Sequence, residues 1–504
     1  MQANARDYFQ EDSEKYRRPL VERRYSKPIE IFDRHLYEKG ALVLHMLRHE
    51  LGDVLFWKSI RHYVRKHQFQ NVESSDLKVA IEEATGRHLD RFFDQWVYGA
   101  GFPVLESTWS WNEAEGLVRL VLRQTQARDG AGSAFAFPLE VEIGRPGRAQ
   151  RHRIQVETAE QVVYLPSDTR PLYLRVDPAR WILMQLRHEQ GRDELLAQLR
   201  RCRDFLGQAS AAEGLARFVG DSQVREALQT ALQRARSFAA KRAIAAALAR
   251  LGGTEARDAL LGALAERDPR ARRGIADALG EFRRDPVVGK ALRAHWRKER
   301  SYFVRAAILG AMARSRAPQA FEFLTRALRL DSFRDVIRAA ALRGLGVLED
   351  ERGVDVATAH AAAGRSRWCR DAALHALAAL GRAHPQRRSA VQETLEAALQ
   401  DSSFYAVFSG IDALGKLGAG EAVSALRRVE QSDVDGRLQK AAREAIETLT
   451  ARNEEPERFR GLQQQMERLQ SETRELRDRL SRLEAAPPGR RRAPSGASPA
   501  RQRR

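Results

Sequence analysis

From about Phe205 to Thr450 the chain repeats itself, and a repeat of this length restricts the fold more than any other feature of the sequence. A Leu, Met or Ile preceded by a small residue recurs at Leu215, Leu248, Leu279, Met312, Leu345, Leu377, Leu414 and Ile446. The small residues are Gly214, Ala247, Ala278, Ala311, Gly344, Ala376, Ala413 and Ala445, and the spacings are 33, 31, 33, 33, 32, 37 and 32 residues. Seven residues ahead of the apolar position stands a base in several units, as in Lys241, Arg272, Arg305, Arg338 and Arg370. Each unit has the length of one helix pair, which cannot bury its own apolar face. The units must therefore stack, and the small residue lets adjacent helices approach closely. Eight units exceed the roughly three such an array needs for stability.

The pattern resembles HEAT repeats of the short bacterial kind, which implies an α-solenoid over residues 186 to 450 with a protein partner along it. The 504-residue chain carries a net charge of +19, from 86 Lys plus Arg against 67 Asp plus Glu, and only eleven of the bases are Lys. This excludes an acidic self-solvating chain and leaves polyanions open as partners. Arg and Ala abundance also follows from a GC-rich coding sequence. Within the repeats the arginines read as ion pairs inside the array or as a solvated face. Nucleic-acid binding is the weaker reading, because aromatic residues do not interleave with the bases along the sequence as a single-strand platform requires.

Residues 29 to 98 read as helical, with apolar positions three and four apart at Leu42, Val43, Met46, Leu47 and Leu51, then Phe56, Ile60, Tyr63 and Val64. Ser74 and Ser75 are expected to cap the next helix and Gly86 to end it. From Gly101 the period becomes two: Phe135, Phe137, Leu139, Val141 and Ile143 alternate with more polar or smaller residues. About six short strands, at 103–111, 118–122, 135–143, 151–157, 161–165 and 171–176, predict a small β-sandwich. At the other end Phe459, Leu462, Met466, Leu469, Thr473, Leu476, Leu480 and Leu483 step by three and four, the seam of a coiled coil. A parallel homodimer through Leu462, Met466, Leu469, Leu476, Leu480 and Leu483 is expected, against a single helix docked on the last repeat. The Pro/Gly/Ser/Arg stretch 487–504 cannot offset the entropy of folding. Cys202 and Cys369 are too few for a disulfide framework. No run approaches eighteen apolar residues and the first twenty positions are polar, so no membrane span is expected and the chain reads as cytoplasmic as written, an upstream signal left open.

Three segments carry a second resemblance: Leu36-Tyr37-Glu38-Lys39-Gly40-Ala41, the run from Phe93 through Trp96, Gly99 and Gly101 to Phe102-Pro103-Val104, and Val176-Asp177-Pro178. In that order and at those separations they are similar to the later catalytic-domain half and following β-domain of the aminopeptidase-N family of zinc metallopeptidases. The resemblance covers about residues 5 to 185. It implies that Tyr37, opening its helix, donates a hydrogen bond to the oxyanion formed during peptide hydrolysis, a role a phenol suits because it stays protonated at neutral pH. The family's H-E-x-x-H zinc motif does not occur. His49-Glu50 and His188-Glu189 are not followed by it, and His45 and His49, though one turn apart, lie after Tyr37 where the family has only core helix. Family order puts the zinc ligands before Tyr37, so Met1 is expected to fall just after the last of them.

The resulting expectation is a multidomain, mainly α chain. Residues 1–100 form the C-terminal helical part of a thermolysin-like catalytic domain, 101–180 a β-sandwich, 186–450 a HEAT-repeat α-solenoid, 455–486 a coiled coil and 487–504 a disordered basic tail. The implied function is the C-terminal portion of a zinc-dependent aminopeptidase acting on peptides. Zinc belongs to the full-length parent, with no metal and no activity expected of this chain alone. The alternative is a non-catalytic aminopeptidase-like HEAT-repeat scaffold for protein or nucleic-acid partners, as in the aminopeptidase-like subunit of the eukaryotic general transcription factor.

Overall fold

The computed structural model describes residues 1–127 and 134–451, together with 469 and 472. The coiled coil and basic tail expected after residue 455 lie outside the described residues except at those two positions, as do the homodimer residues other than Leu469.

Five helices form the N-terminal part: α1 (Gln2–Glu14), α2 (Gly40–Leu51), α3 (Asp53–His67), α4 (Ser74–Thr85) and α5 (Asp90–Trp96). In α2 the five apolar positions read from the sequence are the five that are buried. In α3 the pattern weakens, with Phe56 buried and Val64 exposed. The cap of α4 differs from expectation. Glu73 precedes the helix and forms a reciprocal capping box with Asp76, leaving Ser74 as the first helical residue. Gly86 ends α4 in the left-handed conformation at φ 72°.

Among the described residues seven strands follow: β1 (Val104–Asn112), β2 (Leu117–Gln124), β3 (Phe137–Gly144), β4 (Gln150–Val156), β5 (Glu160–Pro166), β6 (Tyr173–Val176) and β7 (Gln185–His188). They make a four-stranded sheet ordered β5-β2-β1-β7 and a three-stranded sheet ordered β4-β3-β6. The β7 strand is additional to the six expected. Its four residues pair in parallel with Val104–Ser107, where His188 Nδ1 lies 2.9 Å from the Ser107 hydroxyl. Alternation in β3 holds through Val141 and then fails at Glu142, which is buried because Arg175 on β6 pairs with it at 2.8 Å. One hydrophobic core runs from Leu42, Leu47 and Trp96 in the helices through Leu120 and Leu139 of the two sheets.

The array begins at α6 (Arg192–Arg201). Its inner helices are α7 (Phe205–Leu215), α9 (Phe238–Leu251), α11 (Pro269–Leu279), α13 (Tyr302–Arg314), α15 (Val336–Leu348), α17 (Arg367–Ala383) and α19 (Phe404–Leu417). Between them lie α8 (Ser222–Arg234), α10 (Thr254–Ala263), α12 (Pro286–Lys298), α14 (Ala320–Ala327), α16 (Gly353–Ala361), α18 (Arg388–Ala398) and α20 (Val423–Ser432). A further helical stretch covers 436–451. Successive inner helices pack on one another; seven of the eight recurring apolar positions fall on them, and the eighth, Ile446, lies in the stretch 436–451. The small residues sit where expected: Ala247, Ala278, Ala311, Ala376 and Ala413 are buried, and a Cβ on Gly344 would meet the Leu324 side chain at 2.9 Å. The recurrent bases tie units together. Arg272 forks onto Glu299 at 2.7 and 2.9 Å, Arg370 reaches Asp401 at 2.7 Å, and Lys241 pairs with Glu266. Each spans from one inner helix to the loop ahead of the next.

Candidate active site

Tyr37 lies in a short wide turn, His35–Lys39, of π-helical hydrogen bonding that leads into α2. Such turns shift side chains off the ordinary helical register, and here the two flanking charged residues point inward. His35 and Lys39 are fully buried while Tyr37 between them is 56% exposed, its ring edge-on to Phe32 at 5.0 Å. A buried pair one turn apart thus fixes the outward direction of the phenol.

Both buried charges need partners, since an unpaired ion in the interior costs several kcal/mol. His35 Nε2 is 3.3 Å from Asp12 Oδ1, and its Nδ1 is 3.6 Å from Asp33 and 3.8 Å from Glu11. Burial alone would lower its pKa; pairing with Asp12, Asp33 and Glu11 outweighs that and raises it from 6.5 to about 10. The ring is an imidazolium at neutral pH, stacked on Tyr16 at 5.5 Å. Lys39 shows the opposite balance. Burial lowers it from 10.5 to about 8 although Asp12 opposes the shift. Its Nζ donates to the Gly99 carbonyl at 3.0 Å.

Arg18 pins the approach to the turn. Its guanidinium holds both Asp33 oxygens, at 2.5 and 2.9 Å, and donates to the carbonyls of Pro19, Leu20 and Ile31 at 2.7, 3.2 and 2.9 Å. Asp33 in turn accepts from the Leu36 amide and the Tyr16 hydroxyl. Burial acts against ionisation of Asp33, yet His35 and Arg18 hold its carboxyl well below the usual range.

The same contacts join the separated sequence motifs. Lys39 of the first reaches Gly99 of the second, while the Tyr8 hydroxyl donates to Asp12 at 3.1 Å and to the Gly101 carbonyl at 3.3 Å. A Cβ on Gly99 would lie 2.5 Å from the Gln95 carbonyl oxygen, and Gly101 has φ 78°, so glycine is required at both. In the third motif Asp177 accepts from the amides of Trp181 and Ile182 at 2.9 Å each. That turn sets Trp181 against α2, where it stacks on His45 at 4.5 Å and His49 at 4.7 Å. The imidazole pair weighed from the sequence as zinc ligands is thus a packing joint between α2 and the segment after β6.

Among the described residues two acidic groups bring ligand atoms within 4.8 Å of one another, Glu11/Asp33/His35 and Glu142/Cys202/Asp204. Neither suits zinc. The first has Arg18 across one carboxylate and an imidazole held protonated, and a ligand nitrogen must be deprotonated. The second surrounds the Arg175 guanidinium, which donates to Glu142 at 2.8 Å and Asp204 at 2.9 Å.

Of this network the sequence singled out Tyr37 and left His35, Lys39, Asp33 and Arg18 without roles. The available signal was the spacing of His35 and Lys39, one turn apart on either side of an aromatic. Tyr37 does not line the cavity of 1350 Å³ between α1, residues 175–186 and helices α6 and α7. The segment that precedes Tyr37 instead meets the far end of the array. Lys440, in the stretch 436–451, donates to the carbonyls of Glu30 at 3.1 Å and of Ile29 and Phe32 at 3.4 Å, and Glu444 pairs with Lys15 at 3.1 Å. The solenoid curves back onto the segment that precedes Tyr37.

Residues 1–96 match the model of the peptidase family M1 domain, and residues 192–280 and 234–313 match HEAT repeats. Aminopeptidase N of Lactococcus lactis subsp. lactis is 40% identical over 133 residues, 25% of this chain and 15% of that protein. Tricorn protease-interacting factor F2 of Thermoplasma volcanium is 34% identical over 114 residues, 23% of this chain and 14% of the relative. The match thus spans about one seventh of the length of these curated relatives. The crystal structure of Legionella pneumophila aminopeptidase A in complex with aspartic acid superposes with a TM-score of 0.56 at 12% identity, covering 85% of this chain and 58% of that one. At that identity the likeness shows the fold, which includes the position of the helical array after the β-strands.

Proposed function

We propose, from the match of residues 1–96 to the peptidase family M1 domain, that this chain carries one wall of an aminopeptidase active site, with Tyr37 as its oxyanion donor. The observation that carries the reading is the rigid mounting of an exposed phenol. The side chains of Arg18, Asp33 and His35 are buried and paired with one another, and buried Lys39 is tied to the Gly99 carbonyl, so the phenol's direction is set before substrate arrives. A preorganised donor stabilises charge that develops only in the transition state, without reorganisation at the moment of reaction. The substrate class is a peptide with a free N-terminus. Zinc, as in M1 peptidases generally, supplies the hydrolytic chemistry of the parent protein, while the residues of this chain orient the donor. The two sheets, whose inward residues share one core, are read as the sandwich that follows the catalytic domain, and the array as the partner-binding region. The partition at 1–100, 101–180 and 186–450, and dimerisation through the heptad residues from Leu462 to Leu483, belong to the same proposal.

The competing reading is a non-catalytic scaffold that keeps the peptidase-like fold for binding, in line with the HEAT repeats that follow it. The coding sequence upstream of Met1 separates the two. An in-frame H-E-x-x-H, with release of amino acids from N-terminal anilides by the protein that contains it, supports the enzyme. Absence of that motif alongside an intact fold refutes it in favour of the scaffold.

A further inference from the structure

Aromatic residues and arginines that are separated in sequence alternate along one edge of the array. The edge is formed by the first turns of the inner helices. Trp368 and Tyr405 are each the second residue of their helix, α17 and α19, and Phe333 lies in the turn just before α15. Arg334 lies over Phe333 at 5.0 Å and over Trp368 at 5.6 Å. Arg367 lies over the same Trp368 at 4.1 Å and over Tyr405 at 4.3 Å. Arg437 continues the series on Phe404 at 4.1 Å, and Phe404 meets Tyr405 at 5.4 Å. Earlier units repeat the motif in isolation, with Arg270 on Phe238 and Arg273 on Phe303.

The carboxylates near this edge are already engaged: Asp335 with Arg338 and Ser366, Asp401 with Arg370, and Asp435 with Arg437. Among the described residues neither Arg334 nor Arg367 is ion-paired. Each lies over two rings from consecutive units, and among the described residues no hydrogen bond or ion pair takes up its N–H groups. An arginine fixed in this way has lost its side-chain entropy in advance and presents a fork matched to a carboxylate or phosphate. With guanidinium carbons 5.6 and 4.1 Å from one ring centroid, the two carbons are at most 9.7 Å apart. Acidic side chains on the same face of an extended peptide recur about every 7 Å, twice the rise per residue. Single-stranded nucleic acid, by contrast, needs open ring faces for its bases, and here guanidinium groups occupy them.

We propose that this stripe, centred on Arg334, Trp368 and Arg367, binds an extended acidic peptide segment of a partner protein. The test uses the whole chain at near-physiological salt, with fluorescein-labelled hexaglutamate as probe and fluorescence anisotropy as readout. The double variant R334Q/R367Q is expected to weaken binding by at least about tenfold. R334K/R367K, which keeps both charges, is expected not to restore it, because an ammonium neither stacks nor presents a fork. R200Q/R201Q, which removes two exposed arginines of α6, is expected to change binding by less than about twofold. Three results overturn the proposal: no binding of hexaglutamate, equal loss in the α6 control, or wild-type binding by the lysine pair. Tighter binding of labelled oligothymidylate through the same two arginines also overturns it, in favour of nucleic acid.

Discussion

The buried pair flanking Tyr37 makes stability depend on pH in a shape that neither residue gives alone. His35 is raised from 6.5 to about 10, so the native state holds a proton that the unfolded state has released across that range. Its contribution is complete below 6.5 and falls as pH rises toward 10, by about 1.4 kcal/mol per pH unit. Lys39 is lowered from 10.5 to about 8, so above 8 the unfolded state holds the extra proton and stability rises at the same slope. Stability of the N-terminal part should therefore fall by about 2 kcal/mol between pH 6.5 and 8 and then level off, the two slopes cancelling up to 10. Lys39→Met removes the compensating slope, and the fall should continue by about another 3 kcal/mol to pH 10. His35→Gln should show no fall below pH 8 and a rise above it. Since a chain of several domains does not unfold in one step, the assay must be local. Samples equilibrated in urea at each pH receive a brief deuterium pulse at one common pH, and mass spectrometry of peptides covering 2–14 and 30–40 gives the unfolded fraction. A wild-type profile flat from pH 6.5 to 8, or a Lys39→Met profile that levels with it, would refute the assignment of an imidazolium inside this network.

Asp33→Asn leaves Arg18 and His35 without their shared carboxylate and should destabilise the same segment by about 3 to 5 kcal/mol, read by the same pulse labelling. Ala311→Leu forces a larger side chain into a fully buried contact and should cost about 1 to 3 kcal/mol, seen as a lowered calorimetric transition of the array. An unchanged transition would place the repeat register in error. In an active parent enzyme Tyr37→Phe should lower kcat by about a hundredfold or more with little change in KM, and an unaltered kcat would reject Tyr37 as oxyanion donor. The chain alone should take up no stoichiometric zinc by metal analysis; one zinc per chain lost on His45→Ala or His49→Ala would reinstate that pair as ligands.

The helices and strands were legible because their signals are local. The five apolar positions of α2 are its five buried ones, and the small residues from Ala247 to Ala413 lie at the expected contacts. Local signals also misled where two residues competed for one role, as when Glu73 rather than Ser74 capped α4. The strand β7 went unread because Leu186 is its one apolar residue, and its place in the sheet comes from pairing with β1. In the candidate site Tyr37 could be found through its motif and the spacing of His35 and Lys39 was a local sign of its mounting, but the partners of that buried pair could not be read. Tyr8, Asp12 and Arg18 are remote from it in sequence, and a buried ion is indistinguishable from a solvated one until its partners are in place.

What the sequence determined by itself is the period of the array, the face each helix buries and the order of the motifs, all of which follow from the residues per turn of a helix and the alternation of a strand. Which side chains meet across units was decided by the tertiary structure alone. Along the chain Arg334, Trp368, Arg367 and Tyr405 show no interleaving of bases with aromatics, yet stacking one unit per thirty-odd residues brings them into alternating contact. The return of Lys440 to the carbonyls before Tyr37, across 411 residues to Ile29, likewise depends on the accumulated curvature of the stack. Small rotations between units sum over the array, and no local pattern in the sequence encodes that sum.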